Sequence, residues 1–449
     1  MPANRLVLMF LILLLPLIAH AEEVATAELE TGQIEAVEQS AVYVPQPLGI
    51  TDWGKEAVTT RSGYVHPYLT VTGNYTDNLF NSESDKESEF YTVISPGIWF
   101  ALPASKQPFL RLNTLNTAPG GLDASRMTPQ YDRRLQAYAN YRADIREHSD
   151  FSEENRIDQR GEVLFRYNFR GGLSLQVDDI YEKNQDPYST GDSQDRQIDK
   201  FQSNLLHLQI DYEIGPRLMA RGDYSRYMLD YSNVRNAFRE RDDDAFSFYV
   251  FYRMLPKTSV FLLYEHIEID YDWDILSDST EQNYYAGLQW DMTTKSSGRF
   301  MLGYGDKDLS ASSSNEGEFL GEIQFDHRFT RKTAAYLRAT RKTNETDVEG
   351  ADYILTYRVQ LGLRQRLTAK LRGSFDFFYL RDSYEGTVTI DNLQGDRVDE
   401  YYGGGVALGY SPLRWLNLTL GYRYKERSSN FSQYDYQSNT VYLTIAAAM

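Results

Sequence analysis

Basic residues recur along this chain at alternate positions opposite apolar ones: Arg142, Arg166, Arg221, Arg253, Arg358, Arg364, Arg372, Arg423 and Lys425. Carboxylates take equivalent places, among them Asp211, Glu213, Asp223, Asp291, Glu322, Asp326 and Asp376. Opposite charges so placed either pair across neighbouring strands or make a charged wall that meets hydrophilic solutes. The two signs nearly balance, so structural pairing is the plainer reading for most of them. Tyr68, Tyr138, Tyr249 and Tyr285 fall in the same rows and either stack on sugar rings or fill space between charges.

Covalent chemistry finds little support. His66, His148, His207, His266 and His327 are scattered with no accompanying Ser or Asp motif, so neither an acid–base pair nor a metal cluster is expected. The chain has no cysteine, which removes disulfides and thiolate ligands. No enzyme activity, cofactor or metal is therefore expected. A formal net charge of −18 argues against nucleic acid as a partner, since a polyanion needs a basic footprint.

The element that must position these charges is a strand. In the stretch 412–427, Leu416, Leu418, Leu420, Tyr422 and Tyr424 share one parity, and Asn417, Thr419, Gly421, Arg423 and Lys425 share the other. That is a period of two with a greasy row backed by a charged one. The pattern repeats: Leu135, Ala137, Ala139, Tyr141 and Ala143 oppose Gln136, Tyr138, Asn140, Arg142 and Asp144, and Leu206, Leu208, Ile210 and Tyr212 oppose His207, Gln209, Asp211 and Glu213. Short connections (170–172, 215–216, 255–257, 330–331, 367–368, 411–412) alternate with long acidic ones (184–200, 232–244, 343–352, 385–399).

Amphipathic strands of about ten residues, short turns at one end and long loops at the other predict an all-β fold, a transmembrane antiparallel up-and-down β-barrel in the bacterial outer membrane. The hairpins give about 18 strands, with 16 as the alternative. The last strand, from Thr440, closes against the first. The charged rows then line the lumen, and outward Trp99, Trp290 and Trp415 suit the interfacial belts. The strand at 259–271 is awkward, because Phe261, Leu263, Ile267 and Ile269 share a parity with Glu265.

Three regions precede or interrupt the barrel. Residues 1–21, an apolar run after Arg5 that ends in Ala19-His20-Ala21, read as a signal peptide, and 22–62 as a partly disordered periplasmic extension ahead of the barrel at 63–449. Residues 106–132, with Pro119-Gly120-Gly121, break the alternation. A plain long turn is the favoured reading there, and a constriction folded into the lumen is the other.

Two segments carry a family resemblance: PYLTVTGNYTDNLFNSESDKESEFYTVISPGIWFALP at 67–103 and YRADIREHSDFSEENRIDQRGEVLFRYNF at 141–169. They resemble a β-barrel porin family of bacterial outer membranes whose members accompany exopolysaccharide or capsule export systems. The resemblance runs from about Gly63 to the C-terminus and fixes no catalytic residue. It implies a channel for small hydrophilic solutes or a secreted exopolysaccharide. The alternative is a non-conducting barrel, structural or partner-binding, in an envelope or polysaccharide export system. The expected partners are outer-membrane lipid, a polysaccharide or small solute, and envelope export components.

Overall fold

Strand after strand, the row that water would bury is the row left bare. On the strand Leu416–Ser429, Leu420 is 55 % exposed while Thr419 on the opposite row is 2 % exposed. Its neighbour repeats this, with Val441, Leu443 and Ile445 bare and Ser438 and Thr444 buried. An apolar exterior around a polar interior is stable only where the surrounding solvent is hydrocarbon.

The computed structural model describes residues 63–105, 112–122, 134–188, 199–273, 275–293, 295–310, 316–348, 350–390 and 393–448. These form eighteen strands. The first six are β1 (Gly63–Thr76), β2 (Glu89–Ser105), β3 (Leu135–His148), β4 (Arg156–Asn168), β5 (Leu173–Gln185) and β6 (Lys200–Glu213). Next come β7 (Leu218–Tyr231), β8 (Arg241–Leu255), β9 (Thr258–Tyr271), β10 (Ser279–Thr293), β11 (Ser296–Leu309) and β12 (Glu316–Arg328). The ring is completed by β13 (Thr333–Asn344), β14 (Ala351–Arg366), β15 (Leu371–Ile390), β16 (Leu393–Leu413), β17 (Leu416–Ser429) and β18 (Tyr436–Ala448).

Each strand pairs antiparallel with its sequence neighbours, and β18 pairs with β1 from Tyr68↔Ala448 to Thr76↔Thr440. The sheet therefore has no free edge, which lipid requires because hydrocarbon offers no partner to an unpaired N–H or C=O. The larger of the two strand counts holds. Residues 1–21 and 22–62, read from sequence as a signal peptide and a periplasmic extension, lie outside the described residues, as do Met449 and the side chain of Asp291.

Strand length exceeds the membrane. Fourteen residues, as in β17, tilted by about 40° rise roughly 35 Å, against an apolar band of about 25 Å. The surplus stands at the long-loop, extracellular end, where outward positions become charged. There Arg226 on β7 pairs with Asp242 (2.5 Å) and Asp244 (3.3 Å) on β8 in the open.

Two expectations need correcting here. The acidic stretch 385–399 is not a loop: β15 and β16 run on through it, pairing at Ser383↔Val398 and, past a bulge, at Val388↔Gly395, and form the longest hairpin among the described residues. Trp99 is not in an interfacial belt. It shares a parity with Tyr91, Ser95 and Ala101 and points inward, 7 % exposed, its ring stacked on His66 at 3.8 Å.

Candidate functional site

The lumen is occupied from within. The connection between β2 and β3 starts at the short-turn end, yet its described part, 112–122, lies among inward side chains at the opposite end of the barrel. This corrects the favoured reading of 106–132 as a plain turn. The segment ties itself into a knot: Leu115 N donates to Gly121 O (3.0 Å), Ala118 N to Leu115 O (3.0 Å) and Gly121 N to Ala118 O (2.8 Å), and Thr114 bridges Leu122. Gly120 and Gly121 both sit at φ +66°, and a Cβ on Gly121 would come within 2.1 Å of the Tyr227 ring. Only glycine meets both demands, the left-handed backbone and the contact with the wall.

Wall side chains take up the polar groups that remain. Arg241 donates to Asn116 O (2.5 Å), and Asp243 accepts from Gly120 N (2.9 Å) and from Arg241 Nε (3.0 Å). Asn116 Oδ1 accepts from Tyr227 OH (2.7 Å), Asn116 Nδ2 donates to Asp186 (3.0 Å), and Thr114 Oγ1 donates to Glu182 (2.6 Å). From the loop after β13, Glu345 N donates to Thr117 O (2.7 Å). The Glu345 carboxylate in turn accepts from Lys307 Nζ (2.5 Å) and Tyr271 OH (2.9 Å). Burial works to raise the Glu345 carboxyl, but the Lys307 and Arg241 charges beside it win and hold it below the usual glutamate range. Burial prevails instead at Asp186, whose carboxyl is pushed up despite Arg239 alongside.

The segment's apolar groups meet an apolar stripe in the wall. Leu112 and Leu122 pack in one cluster with Leu164, Ile180, Leu205 and Leu229, all on inward rows otherwise rich in charge. Ile267 of β9 flanks Leu122 and Pro119 across a cavity of about 90 Å³. The rest of the inverted row of β9 is buried within the wall, Phe261 and Leu263 against Tyr249, Phe251 and Met301, and Ile269 against Ala245.

Below the segment lies the charged wall. Asp211 accepts from Arg166 (2.9 Å) and Arg221 (2.6 Å), with Gln176 and Gln209 completing the set. Asp223 joins through His207, whose Nδ1 lies 2.9 Å from Asp178 and whose Nε2 lies 3.6 Å from Asp223. Four of the residues singled out by spacing thus meet in one network. His207 and Gln209, which the alternation puts on the inward row with Asp211, belong to it too, together with Asp178 and Gln176. Glu322 pairs with Arg299 (3.5 Å), and Asp326 with Arg338 (2.7 Å). Arg358 is buried in the wall, Arg142 binds Asp144 (3.0 Å), and Arg423 lies over Tyr442 (5.6 Å). Lys425 is buried, and Arg364 and Asp376 are half-buried. Glu213, Arg253 and Arg372 fall on inward parity but are exposed at the short-turn rim.

Of the four tyrosines considered for sugar stacking, Tyr138 and Tyr249 are buried against other wall side chains, and Tyr68 and Tyr285 pack on clusters of the same kind. Tyr68 lies flat over Gly97, where a Cβ would meet its ring at 2.2 Å. They fill the wall.

The chain is similar to several solved structures at low identity. The chain is similar to a BenF-like porin from Pseudomonas fluorescens Pf-5, with TM-score 0.44, 11 % identity, and 86 % of this chain and 99 % of that one covered. It is also similar to OccAB4 of Acinetobacter baumannii, with TM-score 0.43, 10 % identity, and 87 % and 99 % covered. OccK3 of Pseudomonas aeruginosa gives TM-score 0.40, 14 % identity, and 89 % and 99 % covered. Likenesses this distant carry nothing about cargo. No curated protein matches. The segment 141–169 that carries the resemblance lies inside the match to a family model, whereas 67–103 and the inner segment precede it. That model, described as "Putative beta-barrel porin 2", covers residues 126–449, and the chain belongs to this family of outer-membrane β-barrel porins.

Proposed function

We propose that the barrel passes small hydrophilic solutes, with Leu112–Leu122 as its constriction. One observation carries this reading: the wall holds the backbone of a short segment across a lumen that eighteen strands would otherwise leave wide. The spaces beside the segment are small, about 110 Å³ on the side of Arg358 and Asp382 and about 90 Å³ on the side of Ile267. A water's share of liquid volume is about 30 Å³, so such spaces suit a few waters or one small solute. A secreted exopolysaccharide is the larger cargo, and its passage requires the segment to withdraw from the wall.

Liposome swelling separates these readings. Vesicles carrying the purified barrel are expected to swell in glycerol and glucose and to resist swelling in a maltooligosaccharide. Equal swelling in all three favours a wide conduit. No swelling, together with no conductance in planar bilayers, identifies the non-conducting barrel.

A further inference from the structure

The outward row of β14 is apolar from Tyr353 to Leu363, yet only part of it faces lipid. Tyr357 is 38 % exposed and Val359 and Leu361 are as bare, while Leu355 and Tyr353, next on the same row toward the extracellular end, are each 4 % exposed. Thr343 lies opposite Leu355 on β13. Its hydroxyl donates to Glu281 on the inner wall of β10 (3.1 Å). Along the ring, β10 and β13 are three strand spacings apart, roughly 14 Å, which is more than a threonine and a glutamate side chain span. The end of the β13–β14 hairpin has therefore left the wall and turned into the lumen.

Its departure leaves a seam. The ladder between β12 and β13 stops at Gly321↔Arg341, so residues 316–320 of β12 and 342–344 of β13 are not paired with each other, although β11 and β14 pair with them on their far sides. The cavity of about 90 Å³ beside Leu122 reaches into this seam, where Gly321, Arg341 and Thr343 of the outward row line it. Arg341 donates to Glu318 across the seam (2.7 Å), at the point where the hairpin turns in.

We propose that this hairpin tip is a gate with two seats, one tucked against the inner wall and one zipped into the ladder beside β12. In the tucked seat Thr343 holds Glu281, and Glu345 holds Lys307, Tyr271 and the backbone of Thr117. In the zipped seat the ladder runs on in its present register, which sets Lys342 opposite Leu320, Thr343 opposite Phe319 and Asn344 opposite Glu318. Leu355 and Tyr353 then return to the lipid-facing row that their types suit. Hydrogen bonds are exchanged rather than lost. No buried charge is stranded either, because Lys307 keeps Glu281 (3.0 Å) when Glu345 goes out to water.

Two discrete sets of partners make a two-state element rather than a continuously deformable one. Tucked, the tip fills the lumen beside the inner segment and ties its backbone down at Thr117. Zipped, it clears that side of the lumen and closes the wall. The gate rests on the reading of Leu112–Leu122 as the constriction, since it names the element that moves beside it.

Disulfide trapping in the full-length barrel tests it, since the chain has no native cysteine. Phe319→Cys with Thr343→Cys gives a pair that the tucked tip keeps on opposite faces of the wall, Phe319 bare to lipid and Thr343 buried. The zipped ladder brings the two within about 5 Å between Cα atoms, close enough to bond. Under oxidation the pair is expected to join in the folded barrel, read as altered mobility of the denatured chain. The joined barrel is expected to conduct about twofold better than the parent, and dithiothreitol to reverse the gain. Removal of 106–133 gives more, because Arg241 and Asp243 still hold the segment in the joined barrel. A folded pair that stays unjoined overturns the proposal. So does a joined barrel that conducts as the parent does while the barrel without 106–133 conducts more. If that deletion also changes nothing, the constriction reading has failed and the gate falls with it. Folding is checked by the heat-dependent gel shift of an intact barrel. Should the double variant not fold, Glu318→Cys with Asn344→Cys, the next pair along the zipped ladder, takes its place.

Discussion

Excising 106–133 and joining Ser105 to Arg134 through a two-residue turn is expected to raise single-channel conductance roughly tenfold, because an eighteen-stranded ring has room for an aqueous lumen once nothing is folded into it. The strands tolerate the cut. β2 and β3 are paired through Leu102↔Ala137 on either side of the excised connection, so a short hairpin restores the geometry the sheet already has. What the excision uncovers is an apolar stripe, Leu164, Ile180, Leu205 and Leu229, that now faces water. The variant should therefore be less stable as well as more conductive, and the heat-dependent gel shift separates the two effects. Arg241→Ala is the milder form of the test. It removes the donor to Asn116 O and the partner of Asp243 without exposing the stripe, and is expected to lengthen open events while leaving the fully open conductance below that of the excision. Unchanged conductance in the excised barrel would mean that the segment does not limit passage.

The second large effect concerns Asp399. Arg397 and Arg427 both converge on its carboxylate, at 3.0 and 2.6 Å, and all three side chains are fully buried. Tyr384, Tyr401 and Tyr434 crowd the two guanidinium groups, with Arg397 lying 3.8 Å above the Tyr434 ring. Asp399→Ala leaves two like charges together with the carboxylate that both of them touch removed. Removing one partner of a buried ion network costs about 3–5 kcal/mol, and the aromatic faces return only part of it, about 1–2 kcal/mol. Unfolding by urea in lipid vesicles should show the loss as a lower midpoint with little change in slope. Asp399→Asn keeps a hydrogen-bond acceptor and is expected to fall between the two. A midpoint within the error of the parent's would show that the pair is held without Asp399, by the tyrosines and by Asp382 near Arg427. Tyr384 and Tyr401 of this network also line the cavity beside the inner segment, so conductance is recorded alongside the unfolding midpoint.

Much of the barrel could be read from the chain because a period of two is a local property. Leu420 opposite Thr419 needs no knowledge of the rest of the ring. The even strand number and the closure of β18 on β1 followed from the alternation of short and long connections. The inner segment was hidden for the opposite reason. Pro119-Gly120-Gly121 has turn chemistry, and nothing nearby in sequence says that its partners are Tyr227, Asp243 and Glu345, more than a hundred residues away. A trace of it was nonetheless present: Leu164 between Glu162 and Arg166, Ile180 after Asp178, and the row Phe261, Leu263, Ile267, Ile269 beside Glu265 put apolar side chains where a wetted lumen wants polar ones. Leu164, Ile180 and Ile267 needed an apolar surface inside the ring, and the insertion supplied it, whereas Phe261 and Leu263 found theirs among wall side chains. Pairing within the wall was equally out of reach, since Arg166 on β4 reaches Asp211 on β6 across the whole of β5. Rows tell which way a side chain points, while register and side-chain length decide what it meets.

The most direct measurement is a crosslink across the lumen. The chain has no native cysteine, so Thr117→Cys and Thr346→Cys introduce one unique pair beside the backbone contact between Thr117 and Glu345. In the folded barrel in outer membranes, a short bis-thiosulfonate reagent is expected to join the two and change the mobility of the denatured chain on a gel. Each cysteine reacting singly, with no joined product, would contradict a segment held inside the barrel.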